Sequence, residues 1–249
     1  MRKTILITGA SSGLGAEMAR QFAALGHDLA LCARRTDKLE ELREAVHAAH
    51  PGVRIEVRAL DVTDDDQVFE VFHGFRADFG TIDRVVVNAG LGKGAPLGTG
   101  RYDVNKQTAM TNFVAALAQT EAAMEIFREQ GTGHLVMISS MSAVRGMPKT
   151  LTTYAATKAG VAHLAEGLRA ELHGTPIAVT VLYPGYIRSE MNEKVAQSTP
   201  LMTSTEKGVR AMVDAIEKEK ASAHVPTLPW APMSVVMRHA PMPLFRKLI

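Results

Sequence analysis

From the third residue onward, short apolar runs alternate with longer amphipathic stretches, and this rhythm leaves few folds open. KTILIT, DLALCA, VRIEVRAL, IDRVVVNAG, GHLVMISS and IAVTVLYPG have the length and composition of buried strands, and AHVP of a short last one. Between them lie helical patterns over residues 13–25, 36–49, 64–79, 102–129, 152–172 and 204–220. The first is closed by Gly26. The second has Thr36 as its expected N-cap and Pro51 beyond its end, and the third opens on acidic residues that suit a helix dipole. Strand, helix, strand, repeated without a linker, predicts α/β architecture: a single-domain, doubly wound parallel sheet with helices on both faces. That domain is expected over residues 1–225. Residues 226–249 break the rhythm with a basic segment rich in Pro and Met.

Bulk properties narrow the function classes. The 249 residues are 46% hydrophobic and 22% charged, enough for a substantial core. The net charge is +2, from 28 basic and 26 acidic residues without blocks of like sign, so no nucleic-acid partner is expected. Cys32 is the only cysteine, which fits a reducing, cytoplasmic setting. No apolar run reaches the ~20 residues of a membrane span, and the N-terminal one is too short for a signal-peptide core. His47 and His50 lack a third ligand nearby in sequence, and no metal site is expected.

The turn TGASSGLG follows the first strand and opens the first helix. Gly9, Gly13 and Gly15 keep side chains away where backbone would approach a pyrophosphate. Ser11, Ser12 and Leu14 share the turn, and the helix N-terminus offers N–H groups to the phosphates. At the end of the second strand, where NAD-binding sheets place a carboxylate for the ribose, the chain has Arg34 and Arg35. A guanidinium can grip a 2′-phosphate with two charge-assisted bonds, so NADP(H) is the expected cofactor. The alternative is a pair of solvated surface charges. Asp61 and Val62 end the third strand as candidates for the adenine, with Asp61 equally suited to capping a helix.

TGASSGLG, NAG (88–90), ISS before YAATK, and PGYIRSEM (184–191) occur in this order, and the chain resembles the short-chain dehydrogenase/reductase family over residues 3–191. The resemblance implies a cofactor-site floor from Asn88, Ala89 and Gly90. It implies an Asn112 that bends its helix and holds a water of a proton relay. Ser140 would hold the substrate oxygen, Tyr154 would be the acid/base and Lys158 its partner. Pro184, Gly185 and Ile187 would line the nicotinamide, and Ser189 would hold its carboxamide. From Ser140 to Tyr154 the gap is fourteen, one residue longer than the family's usual spacing, which keeps Ser139 and Ser142 open as alternatives. Tyr154 and Lys158 stand at i and i+4, on one helix face. A nearby ammonium would favour the phenolate and lower a phenol pKa from about 10.

The expected function is NADP(H)-dependent interconversion of a ketone or aldehyde and an alcohol. A hydrophobic substrate is expected, 3-oxoacyl, lipid or steroid-like. A non-catalytic NADP(H)-sensing protein is the alternative, and fold alone does not exclude a dehydratase or epimerase. Residues 91–106 and the segment after Pro184, including 192–204, are the candidate substrate loops, with Lys93 a candidate phosphate contact. The tail, with Trp230, three Met and a basic end, is expected to expose apolar surface. It would serve as a lid, as a contact in a homo-oligomer (dimer or tetramer), or as a peripheral membrane contact.

Overall fold

The computed structural model describes residues 3–92, 94–190 and 201–248. Lys93, Met191 and residues 192–200, among those named above, lie outside them. Seven strands form one parallel sheet: β1 (Thr4–Thr8), β2 (Asp28–Ala33), β3 (Ile55–Ala59), β4 (Arg84–Val87), β5 (Gly133–Ile138), β6 (Ile177–Pro184) and β7 (Ser222–Val225). Their order across the sheet is β3-β2-β1-β4-β5-β6-β7. The chain leaves β1 toward one edge and returns beside it as β4. This reversal opens a crevice at the carboxyl ends of the strands, where ligands bind in sheets of this kind.

Strand residues point alternately to two cores, so both faces of the sheet are apolar. On one face, Leu6, Val85, Val87, Leu135 and Met137 meet Phe72 and Phe75 of α3 (Asp65–Phe79), Phe127 of α5 (Ala115–Gln130) and Val161 of α6 (Thr152–Glu171). On the other, Ile5, Ile7, Val86 and Val136 meet Met18 and Phe22 of α1 (Gly13–Ala24), Leu39 of α2 (Thr36–Ala49), and Met212 and Ile216 of α7 (Thr205–Glu217). Helix α3 begins as its acidic start predicts, with Asp64 accepting from the Gln67 N–H. Thr36 is not the N-cap of α2: it is the first helical residue, preceded by Arg35, and no side chain caps that helix.

A polar cluster closes the amino ends of the central strands. Arg84, 1% exposed, donates from Nε to His134 Nδ1 at 2.9 Å and pairs with Glu217. His134 Nε2 meets Thr180 Oγ1 at 2.8 Å, and His27 lies 3.4 Å from Glu217. Partial burial opposes ionisation of Glu217, but the His27 hydrogen bond and the Arg84 charge together bring its pKa to about 2.

The segment after β7 folds into α8 (Thr227–His239) and α9 (Met242–Leu248). One expectation needs correction here: Trp230 is 4% exposed, not part of an exposed surface. It packs with Met141, Met237, Ala240 and Phe245. Arg145 fixes this pair of helices from the loop after β5. It donates to the Met237 carbonyl at 2.9 Å and to that of Ala240, and stacks 4.4 Å from the Phe245 ring. Among the described residues, the large apolar side chains that the segment exposes are Leu228, Val235, Val236, Met242 and Leu244.

Candidate active site

The carboxyl ends of β1 to β6 surround a cleft of about 680 Å³. Its β1–β3 half is built from the Gly-rich turn. A Cβ on Gly15 would overlap the Gly9 carbonyl oxygen and lie 2.8 Å from Asn88 Nδ2, so only glycine lets the start of α1 seat so closely on the sheet. Ser12 precedes α1 in extended conformation without capping it, and the first turn carries no acidic residue. The N-terminus of α1 therefore keeps its positive end for an anion. Ser11, Ser12, Gly13 and Leu14 all line the cleft.

Arg34 and Arg35 line the same half, as do Asp61 and Val62. The arginines divide. Arg34 lies near enough to Asp61 to favour its ionised form, whereas Arg35 reaches across to Ser11, Ser12 and Glu190. Asp61 does not cap α3. Its Oδ1 accepts from the Thr63 N–H at 3.0 Å and hydroxyl at 2.8 Å, and the backbone bond first, against the cost of burial, holds the carboxyl below its usual range.

The β4–β6 half carries the residues with acid/base chemistry. Asn88 donates to the Thr8 carbonyl at 2.9 Å, and the buried Thr8 hydroxyl accepts from the Asn88 and Ala89 N–H groups. Thr8 thus locks β4 to β1, a role its sequence position does not signal. Gly90 lies between Asn112 and Lys158: a Cβ on it would stand 3.2 Å from Asn112 Oδ1 and 3.5 Å from Lys158 Nζ. Asn112 is 1% exposed at the centre of a π-helical turn, Met110–Val114, between α4 (Tyr102–Ala109) and α5. Such a turn is the widening expected where a side chain interrupts the helical ladder. Both ends of its amide bind the Leu91 backbone, at 2.7 and 2.8 Å.

Two serines of the ISS run part company. Ser139 donates to the Lys158 carbonyl at 2.8 Å, tying β5 to α6. Ser140 accepts the Ser142 N–H at 3.1 Å and hydrogen-bonds Tyr154, and it lines the cleft where Ser142 does not. The extra residue between Ser140 and Tyr154 falls in a loop with two short 3₁₀ turns, Met141–Ala143 and Lys149–Leu151. That is the loop from which Arg145 grips α8 and α9.

Lys158 is 7% exposed and donates to the Ile138 carbonyl at 2.8 Å; burial lowers its pKa to about 8. The expected lowering of the Tyr154 pKa is not what the protein's own groups produce. Burial pushes the phenol up and the Ser140 bond pulls it down, while the Lys158 ammonium bonds the Ile138 carbonyl. Pro184, Gly185, Ile187 and Ser189 border the cleft after β6, Ser189 over Gly13. Gly185 is pressed against Trp230, whose indole occupies the space a Cβ would need. Leu60, Thr111 and Glu190 also line the cleft; each stands directly beside a predicted site residue, Asp61, Asn112 or Ser189, and none was expected there on its own chemistry.

The geometry fits a dinucleotide: a Gly-rich cradle, a free positive helix end, cations at the β2 edge and a Ser–Tyr–Lys group at the β5–β6 edge. Comparison with known proteins agrees. The model of the short chain dehydrogenase family matches residues 3–200. An uncharacterized oxidoreductase of Mycobacterium tuberculosis is 54% identical over 99% of this chain and 97% of its own length. A short-chain dehydrogenase from Sphingobium yanoikuyae, solved with NADPH, superposes with a TM-score of 0.84 at 28% identity, covering 98% of this chain and 95% of that one. One from Burkholderia phymatum, solved with NAD, shares the fold at 21% identity and a TM-score of 0.86, covering 97% and 94%. A match that runs through the turn, the cleft and the sheet alike places this chain in the short-chain dehydrogenase/reductase family of oxidoreductases.

Proposed function

We propose that the protein is an NADP(H)-dependent carbonyl reductase acting on a hydrophobic ketone or aldehyde. One observation carries this reading: Arg34, Arg35 and the α1 N-terminus share a single cleft with Ser140, Tyr154 and Lys158. The Sphingobium relative's NADPH supports the choice of cofactor.

The nicotinamide cofactor, when bound, supplies or accepts the hydride. The chain's own residues do the rest. Gly9, Gly13 and Gly15 admit the pyrophosphate to the helix N-terminus, and the arginines hold the 2′-phosphate. Ser140 already accepts the Ser142 N–H, so its own proton is free to be donated to a substrate oxygen once Tyr154 turns to the same atom. Tyr154 gives its proton to that oxygen as negative charge develops there. Loss of the proton leaves a phenolate, which Lys158, still largely an ammonium at neutral pH, would stabilise on turning from the Ile138 carbonyl. Asn112 keeps the Leu91 backbone in place above α6, where a water can return the proton to Tyr154 by way of Lys158. Leu91 and Ile138 line the cleft beside Ser140, Tyr154 and Lys158, and these apolar neighbours support a substrate with an apolar part.

On this reading residues 1–225 carry cofactor and chemistry, and the described part of the tail, 226–248, forms a fixed wall behind Gly185. The exposed Met110, Phe113, Val114 and Leu117 on the π turn and α5 support association with a second copy, which light scattering would count.

The test uses purified protein. NADPH is expected to bind tens of times more tightly than NADH by fluorescence titration. Tyr154→Phe is expected to abolish turnover of carbonyl substrates while leaving NADPH binding intact. A Phe variant that keeps the wild-type rate removes Tyr154 from the mechanism. Wild-type protein that binds NADPH but turns over no carbonyl or alcohol favours the sensing alternative.

A further inference from the structure

Arg35 is not a loose cation at the cleft rim. Its Nε lies 3.3 Å from Ser11 Oγ. Its Nη2 lies 2.6 Å from Ser12 Oγ and 3.1 Å from Glu190 Oε2. Glu190 comes from far along the chain, 155 residues on, directly after Ser189 at the other wall of the cleft. A carboxylate and a phosphate ask the same thing of a guanidinium, two acceptor oxygens against its N–H fork. Only one of them can have the outward edge of Arg35.

We infer that Glu190 sets the cofactor selectivity of this protein: its carboxylate occupies the guanidinium that a 2′-phosphate needs, and the phosphate binds by displacing it. The inference rests on the NADP(H) reading above. The contacts suit a displaceable stand-in. The Arg35 and Glu190 side chains are 48% and 60% exposed, so water and salt weaken their attraction and a dianion can outcompete it. Glu190 is ionised at neutral pH, since the Ser12 hydrogen bond and then Arg35 hold its carboxyl below the usual range. A cofactor with a bare 2′-hydroxyl has no claim on Arg35 and leaves the pair intact. Glu190 therefore acts against the phosphorylated cofactor alone and narrows a preference that Arg34 and Arg35 would otherwise make larger.

The probes are 2′,5′-ADP, which carries the phosphate, and 5′-AMP, which does not. Their affinities are measured by calorimetry at low salt on the full chain and on E190Q, R35A and the double variant. In E190Q, 2′,5′-ADP is expected to bind about three- to five-fold more tightly, from the release of an exposed pair. The affinity for 5′-AMP is expected to change by less than about two-fold, because it meets no Arg35 contact. In the R35A background the E190Q gain should fall below about two-fold, as residues acting through one contact are coupled. An equal gain for both nucleotides, no gain, or a gain that survives loss of Arg35 overturns the inference. The cofactor reading is decided separately by wild-type NADPH against NADH. If wild type prefers NADH while E190Q still gains on 2′,5′-ADP, that reading falls and the role of Glu190 stands.

Discussion

Lys158 is held at a cost to the fold, and removing its charge should make the protein more stable. Its pKa of about 8 lies below the unfolded value of 10.5, so the folded state binds the proton less well than the unfolded chain does. Below pH 8 the penalty is fully present; as pH rises through 8 toward 10.5 it disappears. At roughly 1.4 kcal/mol per pKa unit the burial penalty is about 3 kcal/mol at pH 7 and about 1 kcal/mol at pH 9.5. Lys158→Met removes the charge and keeps most of the bulk, but orphans the Ile138 carbonyl that Lys158 now satisfies, at about 1 kcal/mol. The variant should therefore be more stable than wild type by about 2 kcal/mol at pH 7, with the gap closing to near zero by pH 9.5. The assay is urea unfolding at both pH values, read as the difference between the two proteins so that other titrations cancel. Work above pH 10 is avoided, because the raised pKa of Tyr154 acts there with opposite sign: the folded state keeps a phenol proton that the unfolded chain has lost. A variant less stable than wild type at pH 7, or a gap that does not change with pH, refutes the reasoning. A stabilised variant that no longer reduces substrate would show that the ammonium is retained for chemistry at the expense of stability.

Two further predictions concern the scaffold. Glu217→Gln should remove stability that wild type holds above the ordinary Glu pKa and loses as pH falls toward about 2. With the group partly solvent-exposed the loss is put at about 1–2 kcal/mol, and urea melts of the variant should be flatter than wild type between pH 5 and 3; a slope equal to wild type would contradict it. Arg145→Ala should free α8 and α9, since it deletes both carbonyl contacts and the Phe245 stack. Hydrogen exchange over residues 227–248 should accelerate at least about ten-fold while β1–β5 stay protected, and unchanged exchange would mean that Trp230 packing alone holds the segment.

The strands and helices could be read from sequence because each is long enough to show its period, and parallel burial leaves near-continuous apolar strands. The cleft's own turn was legible for a different reason, since Gly15 admits no side chain and a motif results. What escaped was whatever depends on two remote pieces meeting. Glu190 is one letter of the PGYIRSEM run, with no role in view until it lies on Arg35. Thr8 is a strand residue until its hydroxyl receives β4. The tail misled because Pro and Met suggest an unpartnered surface, whereas Trp230 turned inward onto Gly185, a glycine whose missing side chain gave no hint of what would fill the space. Helical spacing puts Lys158 on the right face of α6 but does not say that its ammonium will meet the Ile138 carbonyl.

Strands β4 and β5 carry different duties at their two ends. At their amino ends Arg84 and His134 are sealed in the cluster with Glu217, while just past their last residues stand Asn88 and Ser140. Each strand is thus a short rod anchored at one tip and working at the other, with only apolar side chains between. Loops at the working end can be exchanged, lengthened or recharged without touching what anchors the rods. A lineage built on this frame could change what it reduces many times over and never have to relearn how to fold.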